Sequence, residues 1–207
     1  MSTGLLAFAG ICLLLAVTPG PDMAVVTKNA LAHGRRGVVL TTTGIALALA
    51  IWTSATAVGL SALLRTSGEA LFVLKLVGAA YLAYLGLRTL IESRRRPIDL
   101  MANAPAPAPA HAIFRQGFLS ALSNPKLGVF FVTFLPQFVA PGQPILPQLL
   151  LLGLIFAIIG WTWMNVYGLF VTRMRDFITA PRVRQWMERV TGVVLLGFGA
   201  RLAVERL

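Results

Sequence analysis

Thr18-Pro19-Gly20-Pro21-Asp22 interrupts an apolar run over residues 4–26, and Ser123-Asn124-Pro125-Lys126 interrupts a second one over residues 113–139. A proline inside a helix removes a backbone donor, and its ring clashes with the carbonyl four residues earlier. Hydrocarbon offers no water to the groups so freed, and such a break survives only in a protein interior or beside a water-filled cavity. Two runs long enough to cross a bilayer, each broken by proline next to an ionisable residue, decide the fold class. The reading is an all-α integral membrane protein with proline-broken first and fourth spans.

The composition agrees. Hydrophobic residues make up 57% of the 207 and charged residues only 12%, against about 45–50% and about 25% in soluble domains. Mean hydropathy is +0.79. There is too little charge to cover a soluble surface of this size. The net charge of +11 would raise nucleic acid as a partner, but the basic residues stand in short clusters between apolar runs and not on an aromatic-interleaved polar face. Nucleic acid is therefore not expected; the bilayer is. Cys12, inside an apolar run, reads as a small buried residue and excludes a disulfide framework.

A spanning helix needs about 20 mostly apolar residues. Six segments qualify: residues 4–26, 37–64, 70–91, 113–139, 146–172 and 186–203. The first resembles a signal peptide in length but lacks a basic start, and Pro-Gly-Pro-Asp is a poor lead-in to a cleavage site, so it is read as retained. Basic residues fix the orientation, since cytoplasmic loops carry the excess of Lys and Arg. Lys28, Arg35 and Arg36 follow the first span. Arg88, Arg94–Arg96 and Arg115 surround the third loop, and Arg173, Arg175, Arg182, Arg184 and Arg189 the fifth, against Arg65, Arg201 and Arg206 on the other side. The loops after odd spans are thus expected in the cytoplasm and both termini outside, in the cytoplasmic (inner) membrane of a bacterium.

Residues 92–112 contain alternating Pro and Ala from Ala104 to Ala110, a composition that favours a solvated polyproline II spacer. That linker separates residues 1–91 from residues 113–207, two halves of three spans each. An odd number of spans per half gives related halves opposite topology, the inverted-repeat plan of many transporters. His33 and His111 are read as loop residues, with no partner at metal-ligand spacing, and neither a metal site nor a cofactor is expected.

An ionisable side chain at membrane depth costs about 2.5–3.5 kcal/mol and needs a reason. Lys126 lies near the middle of its span, where snorkelling to the interface is hardest. Lys75 stands close to a span end, where a snorkelling anchor and a functional cation are equally good readings. Asp22, the only acid in either broken span, lies toward the cytoplasmic end of its span if the helix is straight and is the natural proton carrier or ammonium partner; its bland reading is an N-cap after a packing kink. The expected substrate- and ion-binding set is Asp22, Asn124, Lys126 and Lys75, with Pro19, Gly20, Pro21 and Pro125 making the helix breaks. Gly44 with Ala48, and Ala79 with Ala83, have the spacing of close helix contacts, and Trp52, Trp161, Trp163 and Trp186 read as packing or interfacial anchors.

Thr18-Pro19-Gly20-Pro21-Asp22, Gly34-Arg35-Arg36-Gly37, the run from Lys75 to Gly86, Phe114-Arg115-Gln116-Gly117-Phe118, Ser123-Asn124-Pro125-Lys126 and Leu135-Pro136-Gln137-Phe138 together resemble the LysE/RhtB family of bacterial amino-acid exporters. The match covers essentially the whole chain; the Pro-Ala spacer departs from it. The resemblance implies a proton-motive-force-driven efflux pump, an antiporter of the inner membrane, for threonine, homoserine, lysine or cysteine-related metabolites. The partners are then a small amino acid and protons, and a homo-oligomer is compatible with the plan. The scarcity of intramembrane acids favours neutral substrates over cationic ones. An exporter of metal or other inorganic ions is the alternative, though it would want several acids, His or Cys within the spans. An intramembrane enzyme would want a Ser-His or His-carboxylate set there, and the sequence offers none.

Overall fold

The computed structural model describes residues 2–63 and 108–173 except 141, together with isolated helical positions between 73 and 91 and between 186 and 197. Every regular element among the described residues is helical: α1 (Ser2–Val17), α2 (Pro21–Leu63), α3 (Ala110–Leu122), α4 (Pro125–Val129) and α5 (Ile145–Arg173). A π-helical turn (Phe130–Phe134) and a 3-10 turn (Leu135–Phe138) carry the chain on from α4. The expected third and sixth spans, Lys75 and the linker as far as residue 107 lie outside the described residues apart from those isolated positions.

α2 is two helices in one. Gly34 holds φ 57° and ψ −145°, a conformation that a side chain all but forbids. In a continuous helix Asn29 and Thr41 would stand about 18 Å apart at 1.5 Å per residue. Instead the Asn29 amide donates to Thr41 Oγ1 at 2.9 Å, so the chain folds back on itself at Gly34. The limbs touch at backbone distance, for a methyl placed on Gly37 would sit 2.1 Å from the Asn29 carbonyl oxygen. This corrects the expected loop. The first span does not end at Val26 but runs helically to His33, and Lys28 and His33 are helical residues. His111 is helical too, in the first turn of α3, which starts at Ala110 and not at Ile113.

Those extra turns settle where the first break falls. α1 and the first limb of α2 flank it with about equal lengths, which puts Asp22 midway along the broken helix and not toward its end. α3 and the segment from Pro125 to Phe138 flank the second break in the same way, bent by 47°. By length and composition the hairpin Pro21–Ser61 and the helix Ile145–Arg173 are apolar enough to cross a membrane, and the bent pair adds a third candidate if it is one broken span.

The packed face of α5 is marked by glycine and not by hydrophobicity, which is much the same all round the helix. Leu150, Leu151, Leu154, Ile158 and Phe170 are exposed, while Gly153, Gly160 and Gly168 point inward. Without a hydrophobic drive between helices in lipid, close approach selects small residues at the contact. A methyl on Gly153 would meet Thr53 at 2.3 Å and one on Gly168 would meet Val38 at 2.5 Å, so α5 lies against the second limb of α2. Gly44 does the same against α3, its Cβ direction ending 2.2 Å from the Phe114 carbonyl; the expected packing role of Gly44 is what the structure shows.

Two unlike layers enclose the breaks. On the side of α1's N-terminal half, Phe8, Phe130, Phe131, Phe134, Phe138 and Phe156 form one aromatic cluster, with the Phe130 and Phe156 ring centres 4.6 Å apart. On the other side, hydroxyl and amide groups tie the helices together: Thr27 to Tyr167 at 2.8 Å, Thr42 to Asn165 at 3.2 Å, and Asn29 to Thr41 and Gln116.

Candidate functional site

The first break is built by its prolines. Pro19 has no N–H, so the carbonyl of Leu15, four residues back, loses its helical donor. Gly20 then starts the next helix as its N-cap: its carbonyl accepts the Ala24 amide at 3.1 Å, and Pro21 takes the first helical position, where a missing N–H costs nothing. Asp22 therefore sits in the first turn of α2, where the helix dipole favours an anion. It is not the N-cap.

The second break follows the same chemistry. Asn124 caps α4, its Oδ1 accepting the Lys126 amide at 3.0 Å, and Pro125 again stands at the first helical position. Here Pro125 takes the i+4 donor from the carbonyl of Ala121, which keeps the Asn124 amide at 3.3 Å. The indole N–H of Trp52 reaches it from α2 at 3.3 Å, while the flat of the ring packs on Phe131 and on the backbone at Gly128.

The two breaks meet, and each satisfies the other. Lys126 Nζ donates to the stranded Leu15 carbonyl at 3.2 Å and to the Thr18 carbonyl at 3.0 Å. In return, Asp22 Oδ1 accepts from the Ser120 hydroxyl at 2.7 Å and Oδ2 from the Asn124 amide at 2.6 Å. Gly20 lies at the rim of this seat, the position of its absent Cβ at contact distance, 3.4 Å, from Lys126 Nζ. Asp22 is 5% exposed, Asn124 2% and Lys126 9%. A carboxylate and an ammonium thus share one desolvated pocket of the protein, each on its own pair of neutral partners. Charges so buried persist only when paired and fully hydrogen-bonded. Asn124 links them: one side of its amide faces the acid and the other fixes the helix that carries the lysine.

Of the residues expected from the sequence, Asp22, Asn124, Lys126 and all four break residues (Pro19, Gly20, Pro21, Pro125) come together here. Sequence reasoning missed Ser120, and it read Trp52 as a packing or interfacial anchor, which its contacts with Phe131 and Gly128 bear out, without its bond to Ala121. Ser120 stands one helical turn before Asn124, the spacing at which two side chains share a face, and that spacing was the available signal. That bond carried no signal, because the register of Trp52 against Ala121 is set only by packing. Among the described residues no three of His, Cys, Asp and Glu come together as metal ligands would.

Trp52→Phe keeps an aromatic ring but removes the donor and part of the ring volume, leaving the Ala121 carbonyl with the Asn124 amide at 3.3 Å. The expected cost is about 1–3 kcal/mol, read as a lowered unfolding temperature of the purified protein. An unchanged temperature would mean that the Ala121 carbonyl does not depend on the indole.

Comparison with known proteins places this geometry in context. Residues 13–206 match the LysE type translocator family. An uncharacterized membrane protein of Bacillus subtilis, YrhP, is 30% identical, covering 97% of this chain and 99% of its own length. The homoserine/homoserine lactone efflux protein of Salmonella typhimurium is 31% identical over 93% of this chain and 92% of its own. The leucine efflux protein of Klebsiella pneumoniae is 29% identical over 91% and 89%. No solved structure matches the chain. A match over nearly the whole length, with apolar helices that can cross a bilayer and two proline-broken helices facing each other, identifies the chain as a membrane protein of the LysE type translocator family.

Proposed function

We propose that the protein exports a small neutral amino acid across the bacterial cytoplasmic membrane, driven by protons moving inward. The observation that carries this reading is the seat of Lys126: a primary ammonium held by two backbone carbonyls in a buried pocket that also contains a carboxylate. Such a pocket suits the two charges of an amino acid. The substrate's ammonium would take the carbonyls of Leu15 and Thr18 beside Asp22, and its carboxylate would face Lys126 and the N-terminal ends of the half-helices. The relatives named for homoserine and leucine efflux support a neutral substrate.

Six spans in two inverted halves, with both termini outside, complete the proposal. Two features support related halves: in each, a proline starts the helix after the break, and a positive-φ glycine follows, Gly34 at 57° and Gly142 at 79°. In that orientation the aromatic layer faces outward and the hydroxyl–amide layer faces the cytoplasm. Protonation of Asp22 from outside would weaken the ammonium seat and release the substrate there. One charge entering across about 150 mV supplies about 3.5 kcal/mol, enough to sustain a gradient of about 300-fold for a net-neutral substrate.

The test is efflux from cells with and without the protein, loaded with amino acids as dipeptides. Uncoupler-sensitive release of one or two neutral amino acids is expected. No accelerated release of any amino acid, with the protein shown to be in the membrane, would overturn the proposal; full proton-coupled transport by Asp22→Asn would overturn its mechanism.

A further inference from the structure

We infer that Ser120 is the positioning residue through which Asp22 takes up and gives back a proton, its hydroxyl reversing direction as the acid gains and loses its charge. The inference rests on the transport reading above, in which Asp22 carries the proton, and names the side chain that makes the exchange feasible inside a closed pocket.

The two donors on Asp22 are not equivalent. Asn124 cannot turn round: its Oδ1 is held by the Lys126 backbone amide at 3.0 Å, so its NH2 must point at Asp22 Oδ2, 2.6 Å away. An amide NH2 donates and does not accept. A proton on Oδ2 would meet it hydrogen against hydrogen, and that oxygen therefore stays an acceptor in both states. Ser120 faces Oδ1 at 2.7 Å with a hydroxyl, which donates or accepts according to how it rotates. A proton on Oδ1 keeps the contact: the acid O–H donates to Ser120 Oγ, and the serine hydrogen turns away. The Oδ1–H bond is the one that forms and breaks, and Ser120 keeps its own hydrogen throughout.

The reversed hydroxyl has an acceptor waiting. In a helix a serine or threonine hydroxyl reaches the carbonyl four residues back, as Thr27, Thr41 and Ser123 do in this chain. Ser120 gives its hydrogen to Asp22 instead, and the Gln116 carbonyl is the place for it once Asp22 is protonated. The Gln116 side chain in turn accepts from Asn29, so Ser120 stands between the acid and the hydroxyl–amide layer. Lys126 is the other charged group of the pocket, and its bonds go to the Leu15 and Thr18 carbonyls and not to the acid. On the helices packed here, Lys28, His111 and Arg115 are exposed, His33 stands at the hairpin, Tyr167 is bonded to Thr27, and Arg173 ends α5.

The full chain is purified into lipid nanodiscs, and its carboxyl C=O stretch is followed by infrared difference spectroscopy during an acid titration. The Asp22 band is the one missing from Asp22→Asn. Ser120→Ala takes the acceptor from the acid O–H, and the band is expected at higher wavenumber, because a hydrogen bond from the O–H weakens the C=O. Ser120→Thr should return it to the wild-type position. Ser120→Cys, close to serine in shape but a weak acceptor, should place it between and covers an alanine variant that does not fold. Efflux per inserted molecule should fall about tenfold in Ser120→Ala, the worth of one hydrogen bond, and recover in Ser120→Thr.

A band that stays in place without the hydroxyl overturns the inference. So does a folded wild type with no Asp22 band at any pH, or a loss of efflux that threonine does not repair. The spectra need no substrate: a wild type that shifts as expected and exports nothing would sink the transport reading and leave the hydroxyl's role at Asp22 as described.

Discussion

Asn124→Asp is expected to abolish transport and to cost about 3–5 kcal/mol of stability, the range for a buried charge left without its partner. The substitution replaces one NH2 by one oxygen. In the protein that NH2 donates to Asp22 Oδ2 at 2.6 Å, while the other side of the same amide accepts from the Lys126 backbone. An aspartate retains the acceptor and loses the donor, so two carboxylate oxygens would face each other at hydrogen-bond distance in a pocket almost closed to water. Efflux rate and membrane abundance measure the two consequences separately. The exchange Asp22→Asn with Asn124→Asp in one chain restores every bond: the amide at 22 donates to the acid at 124, Ser120 donates to the amide oxygen, and the acid still caps α4. The double variant should therefore recover most of the stability that Asn124→Asp loses, with a coupling of about 2–3 kcal/mol. Failure to recover would mean that the contact between positions 22 and 124 is not what holds the breaks together.

Gly37→Ala is the second large effect. The added methyl would stand 2.1 Å from the Asn29 carbonyl oxygen and 2.9 Å from the His33 Cβ, and both obstacles are fixed to the facing limb of the hairpin. Overpacking typically costs about 1–3 kcal/mol and more where backbone must move; here only backbone movement relieves the clash, so a loss above about 3 kcal/mol is expected. Gly117→Ala, aimed at the Thr41 carbonyl at 2.2 Å, should behave alike. Gly10→Ala is the control, with nothing within 4 Å of its Cβ position; alanine there should be neutral or stabilising by up to about 1 kcal/mol through helix propensity. Thermal unfolding of the purified variants reads all three. A Gly37→Ala protein as stable as Gly10→Ala would mean that the limbs do not approach as described.

The breaks were legible in the sequence because they violate the rules of their surroundings. Proline and an ionisable group inside an apolar run each demand compensation, and Asp22, Asn124 and Lys126 could be singled out on that ground alone. The identity of the compensating partner was not legible. Nothing in the order of residues says that the Leu15 carbonyl stranded by Pro19 would be met by a lysine more than a hundred positions away, or the Ala121 carbonyl by Trp52. Those pairings follow from packing. The hairpin at Gly34 was hidden for a different reason: His33-Gly34-Arg35-Arg36 reads as a polar loop, yet helices extend past the apolar stretch with charged ends, and one glycine makes the turn. The inner face of α5 was hidden because hydrophobicity is uniform around that helix and only Gly153, Gly160 and Gly168 mark it. The π turn at Phe130–Phe134 was equally silent. Pro136 explains it afterwards: its ring excludes a normal turn onto Val132, and the Leu135 amide bonds instead to the Phe130 carbonyl five residues back.

The aromatic cluster has an electrical consequence. Protons travel along chains of hydrogen-bonded groups, and files of water need polar walls. The packed rings of Phe8, Phe130, Phe131, Phe134, Phe138 and Phe156 supply neither. While they remain together, this cluster of the described residues offers protons no hydrogen-bonded path. Under the proton-driven export proposed above, it would hold the membrane's voltage at rest and let protons pass during turnover, as the rings separate.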